Sequence, residues 1–281
     1  MAPRRRAMDT MDDIYGWRAR IGLLYPFAGW VMEPEFYRMA PPGVTTLTAR
    51  VTLVAATMDG LADMARSPEV ERCTEGLATA PVQVICFGGT SASFLHGPDW
   101  DAGLRERMAK AAGGIPVTTT SAAGVRAFRA FGVQRIAFVG PYLADVTERG
   151  RRFFEASGFK VLTALGMDLD HDRTIGRVTL EEVYHLARRG DHPDAEAIFI
   201  SCTGLKTIGV LAALERDLGK PVVSANQASF WDCLRLAGIP DRLTGFGGLF
   251  DLRSPEPGGW GIRDDPERGD APMKENPEEE P

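Results

Sequence analysis

The chain has 281 residues, 44% hydrophobic and 25% charged, enough for a sizeable core in one large domain or two lobes. Its formal charge is −6, but Asp264 to Pro281 alone holds eight acidic and two basic residues, so the body is close to neutral. A neutral body excludes the broad basic face of a nucleic-acid binder, and no apolar run is long enough to span a membrane, which leaves small molecules as the expected partners.

Residues 1–17 read as a polar leader, in which Asp9, Asp12 and Asp13 interrupt anything resembling a signal-peptide core. An N-terminal α/β lobe is expected over 18–120. Its strands are Arg20–Tyr25, running into Pro26-Phe27-Ala28-Gly29, then Gly43–Thr48, then Val82–Phe87, which stops at Gly88-Gly89-Thr90-Ser91, and the short extended piece Ile115–Thr119. Between the second and third strands, Val54, Met58, Leu61 and Met64 set a helical period.

The pattern then recurs over 121–252. Arg135–Tyr142 echoes Arg20–Phe27 at an offset of 115 residues, and Gly158–Ala164 echoes Gly43–Ala49 at the same offset. Ala197–Thr203 echoes Val84–Thr90 at 113, and Lys220–Ser224 echoes Ile115–Thr119 at 105. Four matched segments in one order argue for a duplicated unit. The fold class expected is α/β, with two pseudo-symmetric lobes, each a four-stranded, mostly parallel sheet flanked by helices, and the active site in the cleft between them. A helix is expected over Leu205–Leu218, and the helices near Ala123–Phe131 and Ala228–Leu236 are expected to cross between the lobes or brace them. Past Leu252, six prolines among acidic residues describe a disordered tail over 253–281.

Ligands in open α/β sheets bind beyond the carboxyl ends of the strands, which makes Gly88–Ser91 and Cys202–Gly204 opposite walls of one site. Cys202 ends the apolar run Ala197–Ile200, where a thiol and an anion can share the outward amides of the next helix. A free cysteine is as often a small core residue, and Cys73, Cys86 and Cys233 are read that way. Gly89, Thr90 and Ser91 offer hydroxyls and unshielded amides to a carboxylate or oxyanion, or they simply begin a capped helix. Tyr142 and the amides near Thr203 can join that cradle; a rim tyrosine with its tip in water is the plainer reading of the first. Pro26, Phe27, Gly29 and Met167, with Trp30, Val31 and Met32, are candidates for an apolar substrate pocket. His96 is the one histidine near the glycine loop, while His171, His185 and His192 sit in charged segments. No His, Asp or Glu grouping has metal-ligand spacing and no glycine cluster has a phosphate or dinucleotide pattern, so no cofactor is expected. Four scattered cysteines in a chain this long fit a reducing, cytoplasmic setting; oligomeric state is not readable.

These residues resemble the aspartate/glutamate racemase superfamily, and within it the arylmalonate decarboxylase and maleate isomerase branch, over roughly Arg20 to Phe250. Racemases of the superfamily place one cysteine after the third strand of each lobe. Here the second position is Cys202 and the first is Gly89, a glycine there being similar to arylmalonate decarboxylases, as are Gly89-Thr90-Ser91, Tyr142–Arg149, Ser201–Leu205 and Phe230–Gly238. Glu33–Met39 and Gly43-Val44-Thr45 are similar to maleate isomerases, which expect an asparagine near Gly29 as well as the first cysteine; both are absent. The resemblance implies a cofactor-free decarboxylase of malonate-type diacids, with Cys202 as proton donor and Gly89, Thr90, Ser91, Tyr142 and Thr203 around the carboxylate and enediolate. It leaves two rivals, an isomerase or racemase of the same superfamily and a non-catalytic carboxylate-binding protein.

Overall fold

The computed structural model describes residues 14–252; most of the expected leader, 1–13, and the expected acidic tail, 253–281, lie outside the described residues. The first lobe runs β1 Ala19–Pro26, α1 Met32–Met39, β2 Val44–Val51, α2 Met58–Arg66, α3 Glu69–Ala78, β3 Val84–Phe87, α4 Thr90–Phe94, α5 Pro98–Ala111 and β4 Val117–Thr119. The second runs α6 Thr120–Phe131, β5 Arg135–Val139, α7 Ala144–Ala156, β6 Lys160–Leu165, α8 Asp172–Ile175, α9 Leu180–Gly190, β7 Ala197–Ile200, α10 Leu211–Leu218, β8 Val222–Ser224 and α11 Ala225–Leu236.

The two sheets have the same order, β2-β1-β3-β4 and β6-β5-β7-β8, and every strand pair is parallel. Parallel strands are covered on both faces by their crossover helices, which is why β3 (Val84-Ile85-Cys86-Phe87) and β7 (Ala197-Ile198-Phe199-Ile200) are apolar throughout and wholly buried. Both central strands end at the same side of their sheet, one at Gly88-Gly89 and the other at Ser201-Cys202.

The lobes are joined by an exchange of helices. The helix α6 follows β4 of the first lobe, yet its Phe128 packs edge-on against Phe154, Phe159 and Phe199 of the second, with ring centroids 5.9, 5.7 and 5.8 Å apart. The helix α11 follows β8 of the second lobe, yet Phe230 meets Phe36 of α1 at 5.0 Å, and Cys233 meets Cys86 of β3. Each helix starts from a hydroxyl at the end of its fourth strand. Thr119 Oγ1 accepts from Ala122 N at 3.1 Å, and Ser224 forms a capping box with Gln227. Where α6 and α11 lie together, Arg126 pairs with Asp232, and Thr118 Oγ1 donates to the same carboxylate at 2.6 Å.

Two expectations are corrected. The helix expected over Leu205–Leu218 begins only at Leu211, and residues 205–210 are irregular, with a turn at 208–210. The reason is Glu35 of α1, whose buried carboxylate accepts from Thr207 N at 2.6 Å, Ile208 N at 3.2 Å, Thr207 Oγ1 at 3.0 Å and Asn226 Nδ2 at 2.7 Å, holding those amides out of a helix. Val54, assigned to the apolar period of a helix, precedes α2 and is 89% exposed.

Candidate active site

Strand-end loops from both lobes close on one cavity. The first lobe contributes Tyr25 and Pro26 at the end of β1, Gly29, Trp30 and Val31 after it, Gly89, Thr90 and Ser91 after β3, and the apolar Leu53, Leu61 and Met64. The second contributes Tyr142, Asp172, Gly176, Cys202, Thr203 and Gly204. The inner volume is ≈ 30 Å³, and a depression of ≈ 400 Å³ adjoins it, sharing Leu53 and Asp172. The inner space has room for about one water molecule. The lobes' loops meet at this mouth through a backbone hydrogen bond from Ala56 N to Asp170 O, 3.3 Å long.

Cys202 is buried and has a φ of 96°, a left-handed conformation that costs a side chain about 1–3 kcal/mol and that surrounding contacts must hold. Gly204 N–H donates to its sulfur at 3.3 Å. Burial pushes the thiol up to about 12, and the Asp172 carboxylate adds to this against the Gly204 amide and the Tyr142 hydroxyl. At neutral pH the group is a thiol, with a proton to give.

The opposite wall offers hydrogen-bond donors. Thr90 Oγ1 is buried without a hydrogen-bond partner, at the first turn of α4, and a buried hydroxyl left unpaired costs about 1–3 kcal/mol. Tyr142 places its hydroxyl 3.1 Å from Ser201 Oγ, and burial, with Cys202 beside it, raises its pKa so that it stays a neutral phenol. Thr203 Oγ1 donates to Gly88 O at 3.1 Å, tying the two strand-end loops together. Its hydroxyl proton is therefore spent, while its amide, like that of Cys202, has no backbone acceptor among the described residues.

Of the residues expected from sequence, Cys202, Gly89, Thr90, Ser91, Tyr142, Thr203, Pro26 and Gly29 come together here. Phe27 and Met167 do not line the cavity: Phe27 turns outward at the end of β1, 64% exposed, and Met167 packs on the outside of the core. His96 also stays away, its ring 4.8 Å from that of Trp100. The other three cysteines do not reach the cavity.

Two wall residues escape a reading of the sequence. Tyr25 looks like one more apolar strand position, but its hydroxyl donates to Thr203 O at 3.2 Å and accepts from Met32 N at 3.4 Å. A Cβ on Gly29 would stand 2.4 Å from the Tyr25 ring, so this tyrosine fills the space a side chain at 29 needs. Likewise, a Cβ on Gly89 would stand 2.7 Å from Phe87 Cε1 and 3.1 Å from Met64 Cε, so a thiol at 89 requires both neighbours to move. Asp172 sits in a charged stretch that reads as surface, and only the packing of the β6–α9 connection turns it inward. Among the described residues no group of three or more His, Cys, Asp or Glu could hold a metal ion, and no helix is long and apolar enough to cross a membrane.

Known proteins share this architecture. The family model described as arylmalonate decarboxylase matches residues 21–250. The arylmalonate decarboxylase of Bordetella bronchiseptica is 32% identical over 234 residues, covering 82% of this chain and 96% of its own. A liganded arylmalonate decarboxylase variant, with one glycine changed to cysteine and one cysteine to serine, superposes with a TM-score of 0.77 at 31% identity, covering 83% of this chain and 99% of the other. The maleate cis-trans isomerase of Nocardia farcinica, as a cysteine-to-serine variant with a covalently bound succinylcysteine intermediate, superposes with a TM-score of 0.78 at 26% identity, covering 83% and 98%.

Proposed function

Since the chain belongs to the arylmalonate decarboxylase family, we propose that it decarboxylates a malonate-type diacid through an enediolate that Cys202 protonates. The observation that carries this reading is a protonated thiol, Cys202, sharing a cavity with the unpartnered Thr90 hydroxyl and with a glycine, not a second thiol, at position 89. The bond from the α-carbon to one carboxylate breaks, CO2 leaves, and the electron pair remains on the other carboxylate as an enediolate. Thr90, Ser91, Tyr142 and the amides of Cys202 and Thr203 are the donors for its oxygens; such donors are commonly worth ~3–4 kcal/mol each by deletion. Leu53, Leu61 and Met64 form an apolar environment in which a departing carboxylate loses its hydration. The thiol proton passes to the α-carbon, and the resulting thiolate recovers a proton from water.

A nucleophilic role of the kind seen in the succinylcysteine of the isomerase demands a thiolate, which the burial of Cys202 opposes.

Proton NMR in D2O with phenylmalonate, methylphenylmalonate, maleate and 2-phenylpropionate tests the reading. The expected result is CO2 loss from a malonate with one deuterium placed on one face. Conversion of maleate to fumarate, or exchange without CO2 loss, assigns an isomerase or racemase. Ligand binding without turnover assigns a carboxylate-binding protein.

A further inference from the structure

The inner cavity and the outer depression share two residues, Leu53 from the first lobe and Asp172 from the second, so these two stand where the cavities adjoin, on the shortest way from one to the other. Asp172 is half-buried there, and among the described residues its carboxylate has no hydrogen-bond or ion-pair partner. The inner cavity has no Lys, Arg or His in its lining to balance a negative charge. On the inner side Asp172 faces Cys202, Tyr25 and Tyr142, whose ionisations it disfavours. On the outer side stand His171, held by Asp170 at 2.6 Å, and Arg173.

We infer that Asp172 is a specificity-determining residue of the passage: ionised, it repels anions bound for Cys202, and a diacid is held with Asp172 neutral and donating a hydrogen bond to one substrate carboxylate. Two further considerations support this. Burial raises the pKa of Asp172 against the pull of His171, and an entering dianion raises it further, since like charges at one site cannot both stay ionised. A neutral carboxyl also adds a donor for a dianion to a lining in which the Trp30 indole Nε1 stands beside Gly176. The inference rests on the proposed function only for the identity of the substrate. Binding of a malonate dianion then takes up one proton, and its KM rises with pH above the Asp172 pKa.

The test uses two alkylating reagents of nearly equal size, anionic iodoacetate and neutral iodoacetamide, and follows modification of Cys202 by mass spectrometry from pH 4, the ordinary carboxylate range, up to pH 9. Ionisation of Cys202 affects both reagents alike and cancels in their rate ratio. The iodoacetate-to-iodoacetamide ratio is expected to fall about tenfold across the range in the native protein, as one like charge close to the path produces, and to stay flat in Asp172→Asn. His171→Gln, outside the passage, is expected to keep the fall. A flat ratio in the native protein, the same fall in Asp172→Asn, or no alkylation of Cys202 by either reagent overturns the inference. Absence of malonate turnover with the charge discrimination intact removes the proposed substrate alone.

Discussion

Cys202 occupies a backbone conformation that suits glycine better, and it keeps its proton because it is buried beside a carboxylate. Both facts separate its chemical role from its structural one. Cys202→Ala is expected to cut turnover at least ~100-fold, the scale lost with a positioned acid, while circular dichroism and melting temperature stay close to those of the parent. A variant with full activity removes Cys202 from the reaction. The pH dependence has a definite sign. The acting form is the protonated thiol, its pKa is raised to about 12, and so kcat is expected to show no basic limb from this group until pH nears that value. A fall of kcat centred near the ~8.5 of a free thiol contradicts the assignment of Cys202 as a buried acid. The raised pKa of Asp172 belongs instead to kcat/KM.

The elements differ in how far their sequence determines them. The eight strands, their order in the chain and their duplication are legible because a buried parallel strand must be apolar along its length and must stop at a loop. The loop after β7 is not legible, because what unwinds residues 205–210 is Glu35, contributed by α1 of the other lobe. Nor is the orientation of Phe27, Met167 or Tyr25, since adjacent residues at a strand end choose between cavity and solvent by how the following turn leaves the sheet. The α1 carboxylate therefore has a function that its own segment does not reveal: it anchors the turns that follow Cys202. Burial raises the pKa of Glu35, against four donated hydrogen bonds that favour its charge. Glu35→Gln turns an NH2 group towards at least one of those donors and is expected to cost about 2–3 kcal/mol, as for other charged hydrogen bonds. Urea unfolding measures this, and kcat is expected to fall more than KM changes. Parental stability in Glu35→Gln removes the anchor.

At the scale of the molecule, the two sheets are held together by α6 and α11, and the polar centre of that contact is buried. Arg126 and Asp232 are 6% and 1% exposed. Burying an ion pair adds little net stability, but removing one partner strands the other charge and costs about 3–5 kcal/mol. Asp232→Ala is expected to destabilise by that amount, and to do so in a single transition with equal calorimetric and van't Hoff enthalpies. Two separate transitions contradict a shared interface of this strength. The lobes are expected to unfold as one unit, with the walls of the site spaced by the two helices exchanged behind them.

That exchange has a consequence for modularity. A cut between Thr119 and Thr120 would leave a first fragment whose sheet lacks α11 and a second that carries α6 packed on its own core, so the halves are unequal in what they lose. The strands repeat one pattern, but the helices tie its two copies together, and neither half is expected to fold when cut away from the other or grafted without it.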